Sequence, residues 1–251
     1  MVTQTKHERK EKAVVQALAR SALYQLLSQA LAFPSQESFT ALLEADLPQA
    51  QQAAAELPAD LSAELAPLLT ALAGHLQTAN ASRLQTEHRR VFTHILSLDC
   101  PPCETVYTCR DVFQETQELS DIAGFFRAFG LEMAERERLD HMSVELEFMY
   151  FLAYKEAYAL THHGPAKVRV CRDTQRKFMQ DHLGRWADQF TQRLRQTAGG
   201  GYFECVASLT EVFLKTEVRF LRAQPEAVSV NPEWRRQSGE EFSCPAAEEC
   251  Q

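Results

Sequence analysis

The sequence predicts an all-α protein, a single-domain helical bundle. Apolar residues recur every three or four positions along almost the whole chain, the alternation of half-buried strands is nearly absent, and prolines or glycines fall where helices would end. Val15, Ala19, Leu23, Leu27 and Leu31 make the stripe of a first helix that Pro34 ends. Residues 37–79 are rich in Ala, Leu, Glu and Gln, and Pro48, Pro58 and Pro67 divide them into short helices. Ser82 and Gln85 form a capping box for a helix carrying Leu84, His88, Val91 and Ile95. Two prolines, Pro101 and Pro102, force an extended turn. The next helix carries Val112, Leu119, Ile122, Phe126 and Phe129 and stops near Gly130. Asp140 is expected to cap the helix after it, whose Val144, Leu146, Phe148, Met149, Phe151 and Leu152 cover nearly every side, as in a buried helix. Met179, Leu183, Trp186, Phe190 and Leu194 give another core stripe. Gly199–Gly201 break the chain before a last helix with Val206, Leu209, Phe213 and Phe220.

The helical domain is expected to span residues 1–224. Residues 225–251 read as a mobile acidic tail, with six acids against Arg235 and Arg236 and no helical stripe. With 26 Lys plus Arg against 34 Asp plus Glu, the net charge of −8 opposes binding to nucleic acid or an anionic membrane. No apolar run reaches the ~18 residues of a membrane span, so no stable membrane insertion is expected. The basic start, MVTQTKHERKEK, leads into an amphipathic pattern and not into the apolar segment of a secretory signal. Seven cysteines, an odd number without a compact disulfide spacing, favour reduced thiols and a cytoplasmic location.

Pro101-Pro102-Cys103-Glu104-Thr105-Val106-Tyr107 is followed by Glu137-Arg138-Leu139-Asp140-His141 and then by the apolar helix. These segments, with the Phe178–Phe190 stretch, resemble the TorD/DmsD/NarJ-like family of chaperones that mature molybdenum-containing redox enzymes. The resemblance covers roughly Ala13 to Arg222. It departs from the family's Pro-Pro-x-x-Ser-Val-Tyr and Glu-x-Pro-Asp-His patterns at Cys103, Thr105 and Leu139. It implies a TorD-like helical fold and a system-specific chaperone, not an enzyme. Such a chaperone binds the apo catalytic subunit of a molybdenum-cofactor oxidoreductase, and its twin-arginine leader, and assists cofactor insertion before export. Of cofactors it implies only transient contact with the molybdopterin cofactor or a guanine nucleotide, and no motif in this chain supports either.

Client-binding residues are expected at Glu104, Tyr107, Glu137, Asp140, His141 and Glu145. A carboxylate beside an imidazole attracts an arginine and hydrogen-bonds peptide groups. The alternative for Asp140 and His141 is a helix cap with a surface histidine, and for Tyr107 a place in the core. Glu145 and Glu147 lie in the most apolar helix, where a buried carboxylate needs a partner or a ligand. Replacing Asp140 and His141 together is expected to weaken client binding with little change in stability.

Cys100-Pro-Pro-Cys103 is a C-x-x-C without the strand–helix context of a thioredoxin, and Cys244 and Cys250 are spaced too widely for the usual zinc half-site. They are weak metal candidates. Together with His141 they leave open a metal- or thiol-dependent enzyme as the alternative function, beside a general helical adaptor. Arg89-Arg90 is internal and helical, not an export signal, and no phosphate loop, dinucleotide fingerprint, nucleophile elbow or H-E-x-x-H motif is present.

Overall fold

A computed structural model describes residues 5–92, 99–132 and 138–228, and these are all-α apart from one isolated bridge. The helices are α1 (Lys6–Leu31), α2 (Gln36–Ala41), α3 (Leu47–Ala54), α4 (Ala59–Gln77), α5 (Ala81–Phe92), α6 (Glu104–Thr108), α7 (Val112–Ala128), α8 (Met142–His162), α9 (Pro165–Phe178), α10 (Gly184–Ala198) and α11 (Gly201–Leu221). Widened π-turns at Leu42–Asp46 and Met179–Leu183 join α2 to α3 and α9 to α10.

α1 and α8 form the most extensive helix pair, α10 packs on α11, and α11 on α4. Between them lie Leu23, Leu27, Leu146, Met149, Trp186, Phe190, Val206 and Phe213, all fully buried. Thr5 and Glu8 start α1 with a reciprocal capping box, so the helix begins well before the predicted stripe opens at Val15. Its first predicted stripe residue, Val15, is 39% exposed, so the core stripe begins further along the helix.

Three local expectations are corrected. Pro67 does not break α4, because its ring faces solvent while Leu61, Leu65, Leu69, Leu72 and Leu76 bury the opposite face. The missing N–H costs one hydrogen bond, which the apolar face outweighs. The N-terminus of α5 is capped by Asn80, whose Oδ1 accepts from Arg83 N at 2.9 Å, and not by Ser82. The N-cap of α8 is His141 and not Asp140.

Past α11 the chain returns to the bundle. Val228 N donates to Arg185 O at 3.2 Å, Gln189 Nε2 donates to Val228 O at 2.5 Å, and Pro225 lies against Gly184. These contacts tie the segment up to Val228 to α10. A Cβ on residue 184 would stand 2.4 Å from Met179 O, so only glycine closes the π-turn there.

Candidate functional site

The two motif segments, some 35 residues apart, meet in space. The prolines keep residues 100–103 extended, and this strand-like piece pairs with the chain entering α8. Glu104 N donates to Asp140 O and Met142 N to Pro102 O, both at 2.8 Å, flanking an antiparallel bridge between Cys103 and His141. The Asp140 carboxylate is fully buried and accepts four hydrogen bonds: from Thr105 N (3.1 Å), Thr105 Oγ1 (2.7 Å), and Arg138 Nε and Nη2 (2.9 Å each). Arg138 also reaches Glu115 of α7 at 3.0 Å. Burial alone would raise the Asp140 pKa, but the Arg138 and Thr105 hydrogen bonds outweigh it and hold the carboxyl below its usual range. His141 Nδ1 caps α8 by accepting from Ser143 N at 3.2 Å.

A row of titratable groups lies beneath this junction. Glu104 Oε2 is 3.2 Å from His182 Nδ1, and His182 Nε2 is 3.1 Å from Asp121 Oδ2. Arg185 Nη1 is 3.2 Å from Glu118 Oε1 and 3.9 Å from Glu104 Oε1. Glu145 accepts from Trp186 Nε1 at 3.2 Å. Burial, and then the Glu104 charge, push Glu145 well above the carboxylate range. Burial also raises Glu104, against the hydrogen bond from His182.

The expected client-binding set is thus mostly interior. Glu104, Tyr107, Asp140 and Glu145 are all fully buried, and the Tyr107 hydroxyl donates to Pro101 O at 2.9 Å. His141 is half-buried, and Glu137 lies outside the described residues. The first four side chains are closed to solvent in this arrangement. The motif residues pair with one another because each alone would leave a buried polar group unsatisfied. Sequence reasoning missed His182, Glu118, Asp121 and Arg185, although the segment Phe178–Phe190 shows His182 one residue from a core leucine.

The cysteine reading gains no support. Cys100, Cys103 and Cys109 are buried and not joined in disulfides, and burial pushes the Cys100 and Cys109 thiols up, away from the reactive thiolate. Cys244 and Cys250 lie outside the described residues.

His88 sits in an aromatic pocket, with Phe92 at 4.6 Å and Phe33 at 5.2 Å between ring centroids. Neither of its ring nitrogens makes a well-formed hydrogen bond, and burial, only partly offset by the Leu31 backbone, lowers its pKa to about 4. A lowered folded-state pKa means that the unfolded chain binds the proton more readily. Stability from this site is therefore full above about pH 6.5 and is lost as the pH falls towards about 4. Urea denaturation across that window should show the decline, and His88→Phe should flatten it; an unchanged slope in the variant would assign the decline to other groups.

What the junction presents outward is α7. Only Ile122 and Phe126 of this helix are buried, and Val112 and Phe113 stand 72% and 89% exposed, against the expectation that Val112 joins the core. Glu115, Glu118 and Asp121 follow along the helix, against the lone base Arg127. Beside it opens a cleft of about 490 Å³, lined by Asp121, Gly124, Phe125, Phe129, Val170 and Lys177 among others. Exposed aromatic and aliphatic groups next to acids suit an apolar, basic segment of another protein.

This all-α chain, whose proline turn pairs with an Asp-His element, matches a known family. A family model described as nitrate reductase delta subunit matches residues 54–192, more than half of the chain. The chain belongs to that NarJ/TorD-like family, whose members are assembly chaperones and not enzymes. It is 27% identical over 208 residues to the perchlorate reductase assembly chaperone protein of Dechloromonas aromatica, covering 79% of this chain and 88% of that one. It is also similar to a crystal structure from Archaeoglobus fulgidus described as a redox enzyme maturation protein, at 19% identity and a TM-score of 0.45, covering 86% of this chain and 97% of that one. Among the described residues no helix is long and apolar enough to cross a membrane.

Proposed function

We propose that the chain is a dedicated chaperone for the catalytic subunit of a molybdenum-containing oxidoreductase. It binds that subunit before the cofactor is in place, through an apolar and basic segment such as an arginine-bearing leader, and acts in the cytoplasm before export. The observation that carries this reading is the solvent-facing Phe113, the most exposed of the large apolar side chains described, on a helix tied through Glu115 to Arg138 beside the Asp-His element. The similarity to a reductase assembly chaperone supports it.

The work of such a protein is differential binding, because a ligand shifts an equilibrium only by its preference for one state. The apo subunit is expected to bind at least ~10-fold more tightly than the loaded one, a gap of about 1.4 kcal/mol. Affinity should fall with added salt if the acids of α7 take part. Phe113→Ala should weaken binding by about tenfold while leaving the melting temperature unchanged, since an exposed side chain contributes little to the fold. Titrating both client forms with the full chain and the variant, at two salt concentrations, tests all three. Equal affinity for the two forms would leave a constitutive adaptor in place of a maturation chaperone.

A further inference from the structure

We propose that Glu104, Glu118 and His182 bind a divalent transition-metal ion of the zinc class, with Asp121 as the carboxylate that orients the histidine. The three ligand atoms come from α6, α7 and the π-turn before α10, and all lie within 4.8 Å of one another. His182 Nδ1 is 3.2 Å from Glu104 Oε2 and 3.9 Å from Glu118 Oε2. Zinc with ligands at ~2.0–2.2 Å in a tetrahedron sets them about 3.4 Å apart, so one distance fits already and the other needs only a small closure.

The arrangement around these atoms is more specific than a group of acids. Nε2 of His182 faces Asp121 Oδ2 at 3.1 Å, so a proton held there leaves Nδ1 as a lone pair. That lone pair faces two carboxylate oxygens, which requires a positive charge between them, either a second proton on the ring or a metal ion. A carboxylate behind a ligating imidazole is the usual support of a metal-bound histidine. The oxygens divide consistently: Oε2 of Glu104 and Glu118 turn to His182, while their Oε1 atoms lie 3.9 and 3.2 Å from Arg185. Glu104 is fully buried, with Oε2 turned to His182 and Oε1 on the side of Arg185 and the Glu145 carboxyl. Glu118 and Asp121 border an open cleft, which gives an entry path and room for a water as fourth ligand.

The probe is zinc added to the full-length chain after chelator treatment, with affinity read by competition against a chromophoric chelator. One equivalent should bind, and Glu118→Gln should weaken it at least tenfold. Asp121→Asn, which removes only the orienting carboxylate, should weaken it ~10–100-fold. Both positions are partly or largely exposed, and circular dichroism checks that each variant is folded. Cobalt in place of zinc should give weak ligand-field bands without thiolate charge transfer, which separates this site from the cysteines. Absence of stoichiometric binding, the same affinity in both folded variants, or a strong thiolate–cobalt band would overturn the proposal.

Discussion

Arg20→Ala should lower the stability of the domain by about 3–5 kcal/mol, the usual cost of leaving buried charges without their partner. At 2–4 °C per kcal/mol for a chain of this size, the melting temperature should fall by roughly 10 °C. Arg20 is buried in the middle of the α1 stripe, where it links four helices. It donates from Nε to both oxygens of Glu217 on α11 at 2.8 and 2.9 Å, from Nη1 to Glu156 on α8 at 3.1 Å, and from Nη2 to Gln175 on α9 at 2.6 Å. Tyr24 adds a hydrogen bond to Glu217 at 2.9 Å, and Phe220 lies under the guanidinium with its centroid 4.3 Å from Cζ. Alanine would remove the cation and leave the buried Glu217 carboxylate with Tyr24 alone among these partners, while Glu156 keeps Arg172 and Gln175. Arg20→Lys should recover only part of the loss, because an ammonium lacks the planar fork that serves three partners at once. Urea denaturation of both variants is the test, and a loss under about 1 kcal/mol would mean that water reaches Glu156 and Glu217.

That cluster shows where sequence reading stops. The stripe Met179–Leu183–Trp186–Phe190–Leu194 was legible because burial repeats every three or four residues, and all five side chains are fully buried. Arg20, Glu156 and Glu217 occupy positions in similar stripes, but no spacing rule says that three charges on different helices converge. The same holds for His182, whose partners Glu104 and Asp121 lie 78 and 61 residues away. Pairing between the proline turn and the Asp-His element was legible only as two fragments of a resemblance. Part of their contact is made by backbone groups, which leave no mark in residue identity, and the rest by the Asp140 carboxylate on Thr105. Val112 failed for a different reason: periodicity identifies an apolar stripe but not how much of it a neighbouring helix covers. Its exposure, with that of Phe113, is what turns α7 from a core helix into a surface for a partner.

Asp140→Ala carries the second large effect, and here the structure replaces the expectation that changes at Asp140 and His141 would spare stability. Losing the carboxylate strands the Thr105 N–H and hydroxyl inside the junction, at about 1–3 kcal/mol for an unsatisfied buried group. Arg138, half exposed, can turn to water or to Glu115, which limits the further cost. A total of about 2–4 kcal/mol is expected. His141→Ala should cost only ~1 kcal/mol, the worth of a helix cap. The pH dependence gives an independent reading. Asp140 has a lowered folded-state pKa, so the unfolded chain takes up its proton first as the solution is acidified. Its contribution is complete above the unfolded carboxyl pKa and is lost as the pH falls through the lower folded value. Asp140→Asn should therefore flatten the stability curve at the acid end while keeping an acceptor for Thr105. Client affinity per folded molecule should drop in Asp140→Ala as well, because Asp140, through Thr105 and Arg138, holds α6 and the first turns of α7 beneath Phe113. Full stability together with lost client affinity would put Asp140 in direct contact with the client and reverse this assignment.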